Sequence, residues 1–81
     1  MIEEAQFAAQ IKEHAKVVGS DGQHVGTVDH LAGDRIKLAK NDPESEGVHH
    51  FIPLSSVESV SGNTVRLNQP ASQVKATWQH A

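Results

Sequence analysis

The stretch from Val17 to Leu38 constrains this fold more than any other part of the chain. It alternates short β-branched runs with tight-turn sequences, Ser20-Asp21-Gly22 and Gly33-Asp34, and so writes a small curled β-meander. Gly22 sits where a turn needs a left-handed backbone, which glycine adopts without steric cost. Within the meander Val25, Val28 and Leu31 recur every third residue, not every second, with Gly26 between the first pair. That spacing predicts a bulged or sharply coiled strand, and a coiled strand favours a barrel over a flat sheet.

The second run is easier to orient. Ile36 and Leu38 alternate with Arg35 and Lys37, which places one pair inward and the other outward. The polar segment from Asn41 to Gly47 reads as an exposed loop, and Val48 to Pro53 as the next strand. Pro53 has no N–H for a ladder, so the strand ends there, and Pro53-Leu54-Ser55-Ser56 turns the chain to deliver Val57 and Val60 to the core. Gly62-Asn63 then joins that strand to Thr64-Val65-Arg66-Leu67 as a third hairpin.

Both termini carry helical periodicity. Phe7, Ala8, Ile11 and Ala15 recur at helical spacing behind Glu3 and Glu4, which predicts an amphipathic helix over residues 1–14. Pro70 suits the first turn of a closing helix with Val74 and Trp78 on one face, and Trp78 is expected to cap an open end of the barrel. The expectation is one domain of mainly β class: the helix over 1–14, then an antiparallel barrel of five or six strands over 15–81 with a short C-terminal helix.

Eighty-one residues without cysteine hold neither a disulfide framework nor a thiolate metal site. Apolar packing alone must offset the ordering entropy. About a dozen buried aliphatic side chains at roughly 1.5–3 kcal/mol each only match that cost, which makes a homodimer the expected state. Ten acids against seven Lys and Arg give a formal charge of −3, with no basic block, and this argues against nucleic acid as the main partner. The acidic start Met1-Ile2-Glu3-Glu4 does not suit a secretory signal and no apolar run reaches spanning length, so the expectation is a cytoplasmic protein with no membrane partner.

These features together resemble a bacterial family of small PRC-barrel-like proteins, catalogued as domain of unknown function 2171. The resemblance is carried by Val17 to Gly22, Val25-Gly26-Thr27-Val28-Asp29, Ile36-Lys37-Leu38, His49-His50-Phe51-Ile52-Pro53 and Val57 to Val60, and runs from about Ile11 to Trp78. It implies a six-stranded barrel-like fold, of the kind seen in the photosynthetic reaction-centre H subunit and a ribosome-maturation factor. It implies a docking module with no catalytic activity, and it assigns no functional residue. On this reading Asp21, Gly22, Gly26, Gly33 and Pro53 form a structural motif.

Six histidines raise the question of metal, since neutral imidazole is a common ligand. The residues to consider are His24, His30, His49 and His50, but adjacent His49 and His50 point to opposite faces of one strand. They are read as surface or hydrogen-bonded side chains, and neither metal nor another cofactor is expected. The loop Asp42-Pro43-Glu44-Ser45-Glu46-Gly47 imitates the start of a calcium loop, yet Pro53 stands where the bidentate Glu belongs, and the loop is read as solvated. A nucleophile reading of Ser20, Asp21 and His24 is set aside, since Ser20-Asp21-Gly22 is a turn signal and no oxyanion hole can be named, so no enzyme activity is expected. Arg35, Lys37 and Lys40, with Trp78, remain as a surface for an unidentified protein partner.

The reading is therefore a noncatalytic interaction or scaffold module. The competing readings are a small-ligand or metal-binding protein using the histidines, and a weak RNA- or ribosome-associated binder using the three cations. Protonating all six histidines between pH 7 and pH 5 would carry the formal charge from −3 to +3, a change expected to alter self-association.

Overall fold

A computed structural model of the chain describes residues 10–42 and 47–80. Its elements run β1 (Lys16–Val18), β2 (His24–Ala32), β3 (Arg35–Leu38), β4 (His50–Pro53), a 3-10 turn (Leu54–Ser56), β5 (Val57–Ser61), β6 (Thr64–Leu67), α1 (Ala71–Thr77) and the two-residue β7 (Gln79–His80). The strands lie in the order β5-β6-β1-β2-β3-β4-β7.

The expected turns are where the sequence put them. Gly22, Gly33 and Gly62 all have positive φ, at 81°, 65° and 58°. The three-residue spacing of β2 also has its cause. Val17 pairs with Gly26 and Val18 with His24, which leaves Val25 as an extra residue. Val28 pairs with Leu38 and His30 with Lys37, which leaves Asp29 as a second one. Each bulge breaks the alternation of faces, so that Val25, Gly26 and Val28 are all buried and Leu31 still packs on the core. Gly26 makes room for its neighbour, because a Cβ there would stand 3.1 Å from Leu38 Cδ1.

The sheet is mixed, which corrects the antiparallel expectation. β1 pairs antiparallel with β2 but parallel with β6, Lys16 facing Thr64 and Val18 facing Arg66. The reason lies in the 3-10 turn after Pro53. Every other strand-to-strand link from β1 to β6 reverses the chain, whereas Leu54–Ser56 is a corner that carries it from β4 into β5 without reversal.

That corner also shows how strongly the sheet coils. β4 and β5 are five strand spacings apart in the sheet order, about 24 Å if it were flat. The link from Pro53 to Val57 has three intervening residues and reaches at most about 14 Å. The sheet must therefore curl until its ends approach. It is not laddered shut, since β5 and β7 are the two ends and no pairing joins β5 to β4 or β7 among the described residues.

The core fills the inside of this coil. Val17, Val25, Val28, Ile36, Leu38, Ile52, Val65 and Leu67 are its most deeply buried side chains, and α1 adds Ala71 and Val74. Of the helix expected over residues 1–14, residues 1–9 lie outside the described residues. From Ile11 the chain is no longer helical: Ile11 enters the core, and Glu13 and His14 make a turn with His14 at φ 68°. No helix among the described residues is long and apolar enough to cross a membrane.

Gly19 and Asp21 tie α1 to the sheet. A Cβ at Gly19 would collide with the backbone at Ala71 N and lie 2.9 Å from Pro70 C. Asp21 Oδ1 accepts from Gln23 N at 3.2 Å and from Ala71 N at 3.3 Å. One carboxylate thus closes the first turn and caps α1, whose own N-cap, Pro70, supplies no side-chain bond.

Candidate functional site

The bulged strand β2 carries the first polar cluster. His24 and Thr27 flank the buried Val25-Gly26 pair, and both reach the loop that follows β3. His24 Nε2 donates to Asp42 Oδ2 at 2.8 Å, and Thr27 Oγ1 donates to the same oxygen at 2.6 Å. A carboxylate accepts only, so Nε2 holds the imidazole proton when His24 is neutral. The Asp42 side chain is 4% exposed against 37% for His24. The expectation of a wholly solvated loop therefore fails at Asp42. A buried carboxylate needs hydrogen bonds, and β2 supplies two of them.

Beside this carboxylate lies a cleft of about 510 Å³, bordered by His14, Asp29, Lys40, Asn41 and His49. His14 N–H donates to Val28 O at 2.8 Å, which ties the N-terminal turn to β2. His49 Nδ1 donates to Leu38 O at 2.9 Å. A carbonyl also accepts only, so in neutral His49 the lone pair is on Nε2.

The four histidines considered as ligands do not converge. His24 is held by Asp42, His30 is exposed with Nδ1 3.4 Å from Asp29 Oδ2, and His49 is fixed on Leu38 O. His50 faces the other way, buried, with its ring stacked on Trp78 at 3.9 Å between centroids and 11° between planes. Among the described residues no three His, Cys, Asp or Glu side chains come together as a metal set. Asp21 serves α1, so Ser20, Asp21 and His24 form no catalytic arrangement with one another.

The surface expected to meet a partner divides. Arg35 and Lys37 share the outward face of β3, as their alternation with buried Ile36 and Leu38 requires. Lys37 faces Phe51 across the ladder to β4, and the Arg35 guanidinium lies 4.7 Å from the centroid of the Phe51 ring. Lys40 belongs to the Asp42 cleft instead, two residues beyond the end of β3. Trp78 belongs to the buried side of β4, with His50. Phe51 is the member of the cation-bearing face that the sequence reading missed. Its signal was available, since it alternates with His50 and Ile52 in the same strand.

No curated protein and no solved structure matches the chain. The sequence pattern of a bacterial family described as "Uncharacterized protein conserved in bacteria", domain of unknown function 2171, matches residues 11–75. That span takes in the β2 bulges, the Asp42 loop, the whole of β3 to β6 and most of α1, and the chain belongs to this uncharacterised bacterial family.

Proposed function

We propose that this protein is a noncatalytic, PRC-barrel-like interaction module, a cytoplasmic homodimer that docks an acidic protein surface on the outward face of β3 and β4. The observation that carries the reading is the juxtaposition of Arg35 and Lys37 with Phe51. Arginine beside an aromatic ring is the chemistry enriched where proteins meet. On a chain of formal charge −3, two neighbouring cations make a local contrast that an acidic partner can read. Coiling of the sheet until its ends approach supports the barrel kinship, and the small core supports self-association.

The experiment is affinity capture from a bacterial host, comparing the wild-type chain with the R35E/K37E double variant. Both sites face outward, so the variant is expected to keep the wild-type fold by circular dichroism. Loss of a captured protein from the variant supports the reading. An unchanged set of captured proteins overturns it.

One observation favours a second reading, a small polar ligand held in the cleft beside Asp42. The cleft falls within the volume range of small-molecule sites and is lined by Asn41, Lys40 and His49. Metal analysis and native mass spectrometry of untagged protein decide it. A stoichiometric adduct lost on His49→Ala would favour the cleft.

A further inference from the structure

The outer edge of β4 carries an inference beyond the docking face. Among the described residues that edge is covered only by β7, through His50 facing His80 and Phe51 facing Gln79. Two residue pairs make a short ladder, and β4 continues past it through Ile52 to Pro53. Trp78 leads into the ladder, and its indole lies flat on the His50 ring.

The helix and this strap are fastened separately. α1 is anchored by buried Ala71 and Val74 and by the bond from Ala71 N–H to Asp21 Oδ1. Trp78 still donates its N–H to Val74 O at 2.8 Å, but its own backbone is already extended, at φ −66° and ψ 155°. The chain therefore leaves the helix at Trp78, and rotation there lifts the strap without unwinding α1. Beside the indole is a slot of about 150 Å³ bordered by Phe51, Pro53, Val74 and Thr77.

We propose that the outer edge of β4 is a docking site for an extended segment of a partner protein, with an aromatic residue stacked on His50, and that Trp78–His80 is its built-in competitor. The strap shows what the edge accepts: an aromatic side chain followed by backbone in antiparallel register. This is strand addition, in which main-chain hydrogen bonds give affinity and side-chain pockets give selectivity. A tethered competitor acts at an effective concentration in the millimolar range. A partner segment can overcome it by making what the strap does not, a third residue pair at Ile52 and a side chain in the slot.

Trp78 is the only tryptophan of the chain, which makes the test direct. The W78A variant of this chain carries no indole, so a probe peptide Ala-Thr-Trp-Gln-His-Ala, the chain's own residues 76–81, supplies the sole tryptophan signal. The expected result is a blue-shifted probe emission with W78A, together with moved amide signals at His50 and Phe51. In the wild-type chain, where the strap competes at a similar effective concentration, the same amides should move measurably less, by up to about twofold at equal millimolar probe concentration. No response from folded W78A at millimolar probe, or equal amide shifts in both proteins, overturns the proposal.

Native-state hydrogen exchange of the wild-type chain gives an independent test should W78A fail to fold. The amides of Gln79 and His80 should exchange at least tenfold faster than those of Val17 and Val25. Equal protection would mean that the strap does not lift on its own and would overturn the proposal. The probe response of W78A is read separately from the affinity capture that depends on Arg35 and Lys37, which separates failure of this edge from failure of the docking face.

Discussion

Replacing Gly19 by alanine should be the most damaging of the glycine substitutions, although Gly19 has no positive φ. Its Cβ would meet the backbone of Pro70 and Ala71 and lie 2.8 Å from Asp21 Oδ1. Backbone cannot rotate aside as a side chain can, so the chain has two ways to respond. Keeping α1 in place means overpacking, at about 1–3 kcal/mol or more. Releasing α1 exposes Val74, worth roughly 1.5–3 kcal/mol, and Ala71, and gives up the Asp21 cap, about 1 kcal/mol. Either route gives a loss of about 3 kcal/mol, which lowers Tm by about 12–24 °C in a domain of this size.

Gly33→Ala provides the contrast. Space is open around Gly33, and the cost comes only from its φ of 65°, about 1–2 kcal/mol. Urea unfolding followed by the fluorescence of Trp78 measures both variants on one probe. A Gly19→Ala loss below about 1 kcal/mol, or smaller than that of Gly33→Ala, would refute the claim that close backbone approach holds α1 on the sheet.

Other substitutions test other parts of the structure. Asp42→Ala should cost about 2 kcal/mol by leaving Thr27 and His24 without their acceptor, and Asp42→Asn, which keeps an oxygen for Thr27, about half of that. Equal losses in urea titrations would contradict the assignment. Leu38→Ala should cost about 3–5 kcal/mol. In combination with Gly26→Ala it should cost at least about 1 kcal/mol less than the sum of the single variants, since the added methyl then faces the space Leu38 vacates; additive losses would contradict this.

What the sequence made legible was local. Gly22, Gly33 and Gly62 mark turns because positive φ leaves a chemical signature at one position, and the spacing of Val25, Val28 and Leu31 announced the bulges because a bulge shifts the face of every residue after it. Arg35 and Lys37 were readable as outward neighbours for the same reason of alternation. What stayed hidden depends on residues far apart in the chain. Gly19 matters because Pro70 and Ala71 come across it, and nothing near Gly19 records that approach. The parallel pairing of Lys16 with Thr64 has no local turn to announce it. Asp42 looked like one more acid in a polar loop, and only the coil of β2 brings His24 and Thr27 to it. The stack of Trp78 on His50 was likewise invisible, since it depends on where α1 ends relative to β4.

The central claim is that a protein partner meets the outward face of β3 and β4. Site-specific photo-crosslinking in living bacteria tests it most directly, with a photoreactive residue at position 37 and, as a control, at exposed Ser72 on α1. The account predicts a discrete adduct from position 37 that disappears when Arg35 is replaced by glutamate, and none from position 72. Adducts from position 72 alone, or from position 37 regardless of Arg35, would contradict it.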